Sequence, residues 1–134
     1  MIFYREGYKY QLDRNYQTLI EIKPPYDIVT EWLLLNSAGF LTIKGGYAWD
    51  GPSGPAIDTK NFMRGSLVHD AMYQLMREKH IGQQHRELAD KILRKICRED
   101  GMSAIRAWWV YQGVRFGGGE AADQDNENPV LTAP

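Results

Sequence analysis

Residues 67–76 read Leu-Val-His-Asp-Ala-Met-Tyr-Gln-Leu-Met, and they predict the helix around which the second half of the chain is built. At about 100° per residue, a helix through this stretch places its apolar side chains on one broad arc. That arc consists of Val68, Ala71, Met72, Leu75 and Met76. His69 lies inside the edge of the arc with Phe62 and Tyr73, whereas Asp70 lies outside it. The pattern therefore turns the imidazole toward the core and the neighbouring carboxylate away from it.

A second helix with an apolar side follows, and Asp90 lies at the border of that side. The apolar side is formed by Leu88, Ala89, Ile92, Leu93, Ile96 and Cys97. If the two helices pack antiparallel through these faces, Asp90 can reach His69. A buried imidazole needs a partner, and a carboxylate that holds one ring nitrogen leaves the other nitrogen available as a base. The spacing thus predicts a His69–Asp90 dyad.

A purely structural interpretation of the same residues stays open. A single histidine on an apolar stripe is more often a satisfied core residue than a catalytic one. Asp70 can pair with Arg77 or remain solvated, and Tyr73 can serve packing alone.

The first 48 residues have the short β-branched and aromatic runs that are typical of strands. We expect strands within Tyr8–Leu12, Thr18–Ile22, Ile28–Leu35 and Phe40–Ile43. The segments between these runs, at 13–15, 24–25 and 36–39, are rich in turn-forming residues. A small, mostly antiparallel sheet follows from this pattern.

Residues 44–58 contain four glycines and two prolines, which favour an ordered loop over a regular element. Beyond this joint, the periodicity predicts helices over 61–79, 84–98 and 103–116, the last stopped by glycines 117–119. We therefore expect one α+β domain over 1–118, β-rich over 1–48, with a Gly/Pro loop over 49–60 and helices over 61–117. Residues 119–134 read as an acidic, mobile tail.

Size and charge exclude several classes of protein. A chain of 134 residues with 43% hydrophobic residues is long enough for one core. Residues 1–116 carry 16 basic and 13 acidic side chains, a net +3 that is too weak to indicate nucleic-acid binding. One cysteine excludes an intrachain disulfide framework, and we expect neither a secretory signal nor a transmembrane segment. Synthesis in the cytoplasm is the default interpretation.

The stretch His69-Asp70-Ala71-Met72-Tyr73 resembles the His-Asp-x-x-Tyr core of the phospholipase A2 superfamily. Asp90, 21 residues after His69, resembles the second aspartate of that superfamily. The likeness is closest to the disulfide-free phospholipase domains of parvovirus capsid proteins, in which a Gly-Pro-rich loop precedes the His-Asp helix. It covers about residues 47–117 and implies a phospholipase-like pair of helices.

This resemblance implies a role for each matching residue. His69 would deprotonate a water, Asp90 would orient it, and Tyr73 would hydrogen-bond Asp90. Asp70 would be the side-chain ligand of Ca²⁺. The loop that contains Asp50, Gly51 and Gly54 would complete the calcium site with backbone carbonyls. A phospholipid or a membrane surface would then be the partner.

The chain up to Gly118 also resembles a family of small phage and prophage proteins of unknown function. The match rests on the Asp-Gly-Pro-Ser-Gly-Pro loop at 50–55, the segment 67–73, Leu88-Ala89-Asp90 and the end of the third helix at 114–118. It implies a bacterial host and either a virion or a host-cytoplasm location. The alternative function is therefore a non-enzymatic virion component or host-interaction factor, with a phage or host protein as partner. In that case His69, Asp70, Tyr73 and Asp90 form a structural polar cluster.

Three further patterns favour ordinary structural roles. His80 and His85 are poorly spaced for one helical face, which argues against a zinc hydrolase. The segment Trp108-Trp109-x-Tyr111 in the third helix predicts core packing, although adjacent tryptophans cannot share one face and one of them can be exposed. Such an exposed tryptophan would suit a membrane interface or a protein partner. The basic residues Lys91, Arg94, Lys95 and Arg98 predict a solvated stripe on the second helix.

Overall fold

The computed structural model describes residues 1–5, 10–49 and 60–122, with side chains as far as residue 117. Contacts divide the chain into two compact units, residues 1–50 and residues 51–127. The boundary falls where the sequence predicts the joint between sheet and helices. Antiparallel strands in the first unit and three helices in the second confirm the predicted α+β class.

The described part of the first unit contains seven short strands in two antiparallel sheets. One sheet consists of β1 (Tyr4–Arg5), β2 (Tyr10–Leu12) and β7 (Ala48–Trp49), in the order β1–β2–β7. The other consists of β3 (Tyr16–Leu19), β4 (Ile28–Val29), β5 (Leu33–Leu35) and β6 (Phe40–Ile43), in the order β3–β6–β5–β4. In the second sheet Leu33 pairs with Ile43 and Leu35 with Leu41, and all four side chains are buried.

Two of the strand predictions are wrong in their extent. The run Ile28–Leu35 is not one strand but a hairpin of β4 and β5, because Thr30 begins a turn. The backbone N–H of Thr30 donates to the carbonyl of Leu33 at 2.8 Å, and the hydroxyl oxygen of Thr30 accepts a hydrogen bond from the N–H of Leu33. The strand expected over 18–22 begins at Tyr16 and ends at Leu19. The prediction for Phe40–Ile43 is confirmed, and residues 6–9 lie outside the described chain.

The predicted turn at 36–39 joins β5 to β6. The side-chain oxygen of Asn36 accepts hydrogen bonds from the backbone N–H groups of Ala38 and Phe40. Gly39 has a φ of +88°, and a Cβ there would lie 2.4 Å from the carbonyl oxygen of Ile20. The turn therefore requires glycine, as its left-handed backbone indicates.

The second unit contains α1 (Lys60–Arg77), a 3₁₀ turn (Gln83–His85), α2 (Arg86–Glu99) and α3 (Ala104–Ala122). A tight joint separates α2 from α3. Gly101 has a φ of +99°, and the N–H of Met102 donates to the carbonyl of Cys97 at 2.9 Å, which is the Schellman pattern at a helix end. Ser103 then caps α3 by accepting a hydrogen bond from the N–H of Arg106.

Helix α3 is longer than predicted. We expected glycines 117–119 to end it, but it continues to Ala122. Glycine lowers helix stability by about 1 kcal/mol relative to alanine, so it permits an end to a helix without requiring one.

The three helices share a core of Phe62 from α1, Leu93 and Cys97 from α2, Met102, and Ala107 from α3. Gly65 allows α1 and α2 to approach closely. A Cβ at this position would lie 2.9 Å from Sγ of Cys97 and 3.0 Å from Cδ1 of Leu93. This close packing brings the polar residues of the two helices within hydrogen-bonding distance.

Candidate functional site

His69 and Tyr73 are four residues apart on α1 and therefore occupy the same face of the helix. Their ring centroids lie 4.1 Å apart, with the planes inclined by 39°. Both side chains are buried, His69 with 6% and Tyr73 with 3% of its surface exposed. The helix thus presents an imidazole and a phenol side by side to the helix packed against it.

Asp90 on α2 receives both groups. Its Oδ1 atom lies 2.7 Å from Nε2 of His69 and accepts a hydrogen bond from the hydroxyl of Tyr73 at 2.5 Å. The carboxylate has no exposed surface. The structure therefore brings together His69, Tyr73 and Asp90, the three residues to which the sequence assigned catalytic roles.

A third helix contributes a partner that sequence reasoning missed. Nη1 of Arg115 on α3 donates to Oδ2 of Asp90 at 2.8 Å. The sequence contains one signal for this contact, because residues 104–117 include two arginines and no acidic residue. A half-buried arginine on such a helix needs a carboxylate from elsewhere in the fold.

The hydrogen bonds decide the charge on Asp90. Burial alone would raise its pKa, but hydrogen bonds from His69, Tyr73 and Arg115 outweigh burial, so the pKa lies below the usual range of an aspartate. Burial, together with the neighbouring Asp90, raises the pKa of Tyr73. Asp90 is therefore an anion at neutral pH and Tyr73 is a neutral donor.

An ionised Asp90 also fixes the tautomer of His69. A carboxylate only accepts hydrogen bonds, so Nε2 of His69 must carry the proton that lies between them. In the neutral imidazole, Nδ1 is then the nitrogen with a lone pair. No described residue hydrogen-bonds to Nδ1. The hydrogen bond to Asp90 therefore fixes the orientation of the ring and, in the neutral imidazole, its tautomer.

Arg86, the first residue of α2, is a second arginine beside the cluster. Its guanidinium acts on the hydroxyl of Tyr73 and lowers the pKa of Tyr73, against the larger effect of burial. Its Nη1 atom is buried and has no hydrogen-bond partner within the described chain. The polar cluster thus consists of His69, Tyr73 and Asp90 with two arginines, Arg86 and Arg115, and the sequence pattern identified neither arginine as a site residue.

The predicted calcium ligands are only partly within the described chain. Asp70 is half-buried on α1, next to His69. Asp50, Gly51 and Gly54 lie outside the described residues. Within 1–5, 10–49 and 60–122, no three or more His, Cys, Asp or Glu side chains are grouped as a metal site. The assignment of Asp70 to Ca²⁺ stays a prediction.

The two remaining histidines lie in the connection between α1 and α2. His80 has its Nε2 atom 3.7 Å from a carboxylate oxygen of Glu78, and His85 is the residue that precedes α2. Both are half-buried, and neither hydrogen-bonds to Asp90.

The tryptophans of α3 do not pack in the core, so the core-packing prediction is wrong for them. Trp108 is 42% exposed and Trp109 is 64% exposed. The packed side of α3 is formed instead by Ala107, with Val110 and Val114 against the same cluster. Small and β-branched side chains allow α3 to approach α1 and α2, and the indole rings are left outside.

The basic stripe on α2 is solvent-accessible, as predicted. Lys91, Lys95 and Arg98 are exposed, and Arg94 is half-buried. No helix among the described residues is long and apolar enough to span a membrane.

Comparison with known proteins identifies the family of this chain. Residues 28–114 match the family described as "Protein of unknown function (DUF1353)". The match spans most of the chain, includes every described residue of the cluster except Arg115, and shows that the chain belongs to this family. No curated protein and no solved structure matches it.

Proposed function

We propose that this member of the DUF1353 family is a lipid ester hydrolase that works in the manner of phospholipase A2, with His69 as its general base. One observation carries the proposal. Nε2 of His69 lies 2.7 Å from a carboxylate with no exposed surface, which leaves Nδ1 as the basic nitrogen. This is the arrangement in which an imidazole is held ready to take a proton from water.

The proposed reaction is hydrolysis of a carboxylic ester. Nδ1 of His69 takes a proton from water while the water oxygen forms a bond to the ester carbonyl carbon. The tetrahedral intermediate collapses, the bond from the carbonyl carbon to the ester oxygen breaks, and the imidazolium returns the proton to the leaving alcohol. Asp90 stabilises the imidazolium between these steps, and Tyr73 and Arg115 hold Asp90 in place.

The proposal includes a calcium ion as cofactor. Asp70 would be its side-chain ligand, and backbone oxygens of the loop with Asp50, Gly51 and Gly54 would complete the site. When bound, Ca²⁺ supplies polarisation of the ester carbonyl and stabilisation of the charge that develops on its oxygen.

The catalytic role of His69 is tested by measuring fatty-acid release from phospholipid vesicles in the presence of Ca²⁺. We expect release by the wild type and none above background by His69→Gln. His80→Gln is the matched control, because it makes the same change at a half-buried histidine outside the cluster, and it should hydrolyse like the wild type. Background-level release by the wild type would refute the enzymatic proposal.

The calcium role has a separate test. Chelation of divalent ions should abolish fatty-acid release, and Asp70→Asn should weaken Ca²⁺ binding in calorimetry without altering the helical circular dichroism. A wild-type protein that binds no Ca²⁺ at millimolar concentration would remove the role assigned to Asp70.

A second candidate function is favoured by the contact from Arg115. Both oxygens of Asp90 are occupied, and the donors come from α1 and α3. Such a cluster also suits a polar brace in a non-enzymatic protein, for which the sequence predicts a phage virion component or a host-interaction factor. Under this hypothesis, His69→Gln changes the melting temperature, and the wild type releases no fatty acid.

A further inference from the structure

Helix α3 is apolar on two opposite sides. Ala107, Val110 and Val114 pack against the core of the helical unit. On the other side are four exposed large side chains, which we call the aromatic face: Ile105 (75% exposed), Trp108 (42%), Trp109 (64%) and Phe116 (89%). Exposed apolar side chains that are gathered on one face mark an interaction surface, whereas scattered ones do not.

The aromatic face extends along the helix, and Gln112 is the polar residue within it. At 100° per residue, Ile105, Trp109 and Phe116 align within about 40° of one another, and Trp108 extends the face to an arc of about 100°. The rings of Trp108 and Trp109 touch edge to face, with centroids 5.0 Å apart. Three turns of helix therefore present one strip of indole, phenyl and aliphatic surface.

Positive charge borders this strip. The guanidinium carbon of Arg94 on α2 lies 5.8 Å from the ring centroid of Tyr111 on α3, so the basic stripe of α2 adjoins α3. The stripe contains Lys91, Arg94, Lys95 and Arg98, with Glu87 as the acidic residue at its N-terminal end. On α3, Arg106 adds a further positive charge, whereas the charge of Arg115 is paired with Asp90.

We propose that the aromatic face of α3 and the basic stripe of α2 together dock on an anionic lipid bilayer. Tryptophan is favoured at the boundary between headgroups and acyl chains, because its ring is largely apolar and its N–H can reach water or headgroups. Lysine and arginine beside it attract anionic headgroups. Protein interfaces are instead depleted in lysine, so the two lysines of the stripe favour lipid over a protein partner.

The docking surface deepens the proposed function, on which it rests for its purpose, because a lipid hydrolase must reach lipids in a bilayer. Binding and hydrolysis can nevertheless be separated. His69→Gln alters the cluster and leaves the aromatic face untouched, so it should bind vesicles like the wild type. Vesicle binding by the wild type without fatty-acid release would support the docking surface and refute the proposed enzyme. Fatty-acid release by the wild type that does not depend on the aromatic face would support the enzyme and refute the docking surface.

The test is co-sedimentation of the full chain with vesicles of phosphatidylcholine alone or of phosphatidylcholine and phosphatidylglycerol in equal parts. We expect binding to the mixed vesicles that weakens with added salt. Trp109→Ser combined with Phe116→Ser should lower the partition coefficient about tenfold or more, from the loss of aromatic burial. The matched control is Tyr26→Ser, which removes an aromatic side chain that is 62% exposed in the first unit and should bind normally.

The electrostatic part has its own pair of variants. Lys91→Glu with Lys95→Glu should reduce binding to the mixed vesicles several-fold, whereas Lys23→Glu with Lys60→Glu makes the same change of charge outside α2 and α3. If both pairs of substitutions weaken vesicle binding equally, the effect comes from net charge alone, and the role of the basic stripe is overturned.

Two outcomes would overturn the proposal as a whole. One is a wild type that binds neither kind of vesicle. The other is a wild type that sediments as a dimer in solution and becomes a monomer on Trp109→Ser with Phe116→Ser, since the face would then join two copies of the chain. The aromatic-face, lysine and Tyr26 variants carry exposed substitutions, so melting temperatures near that of the wild type are the check on their folding. His69 is buried, so the fold of His69→Gln is checked by its helical circular dichroism.

Discussion

Asp90 is a side chain without exposed surface that nevertheless stays charged. Hydrogen bonds from His69, Tyr73 and Arg115 replace the water that an ionised carboxylate would otherwise need. The same three donors fix the orientation of the carboxylate, and through it the tautomer of His69. The structural requirement for a charged Asp90 and its proposed role in orienting His69 thus coincide at one residue.

Cys97 is the buried nucleophile that the proposed mechanism does not use. Burial raises the pKa of its thiol to about 12, so the reactive thiolate is scarce at neutral pH. We expect an aromatic disulfide reagent at pH 8 to leave the folded protein unmodified and to react with one thiol after unfolding in urea. An added exposed thiol, Ala104→Cys, should react rapidly in the folded protein and provides the control. Rapid labelling of the folded wild type would contradict this prediction.

The pairing of His69 with Asp90 could be predicted because both lie at the border of an apolar helical face. Helical angles give that position from the sequence alone, and a buried imidazole needs a partner. The contact of Arg115 could not be predicted in the same way. Its distance from Asp90 depends on where α3 packs, which no local pattern specifies.

At the scale of elements, the two helical glycines Gly65 and Gly113 should respond oppositely to the same substitution. Gly113 is exposed, and a Cβ there would meet nothing within 4 Å, so Gly113→Ala should stabilise the protein by about 0.5 to 1 kcal/mol through helix propensity.

Gly65→Ala gains the same propensity but places its Cβ 2.9 Å from Sγ of Cys97. Overpacking of a helix interface costs about 1 to 3 kcal/mol, which exceeds the gain. Thermal unfolding followed by circular dichroism should therefore show a higher midpoint for Gly113→Ala and a lower one for Gly65→Ala. Equal shifts for the two variants would mean that α1 and α2 are not in close contact at Gly65.

Elements with a strong period were predictable, and elements decided by packing were not. Helices α1 and α2 follow from apolar spacing, whereas α3 is apolar on two opposite sides and has little helical period. The hairpin at Thr30 was missed because Ile28–Leu35 is continuous in strand-forming residues, so hydrophobicity alone shows no break. One exposed tryptophan was expected, but the exposure of both Trp108 and Trp109 was missed. Helix α3 packs through its small residues, and indole is too large for that side.

At the scale of the helical unit, Asp90 of α2 joins α1 and α3 on one carboxylate, so its charge contributes to the stability of the whole bundle. Asp90→Asn keeps an acceptor for Tyr73 but leaves Arg115 without a counter-charge. We expect a loss of about 3 kcal/mol, at the low end for opening a buried ion pair because Arg115 can reach water. A variant with the stability of the wild type would refute the brace.

The charge of Asp90 also predicts how stability depends on pH. Its folded pKa lies below its unfolded value, near 3.8, so the unfolded state binds the proton more readily. The contribution of Asp90 is therefore complete above about pH 4 and is lost as the pH falls through the folded pKa. Urea titrations should show a steep loss of stability at acid pH in the wild type and a shallower loss in Asp90→Asn.

Asp13→Asn is the control for this prediction. The pKa of Asp13 is also lowered, by Arg5 and Arg14, but those ion pairs are exposed and contribute little to stability. Solvent screens Asp13 and not Asp90, so only the loss of the buried carboxylate should make stability depend less on pH in the acid range. A comparable change in Asp13→Asn would show that surface ion pairs determine the acid stability of this fold.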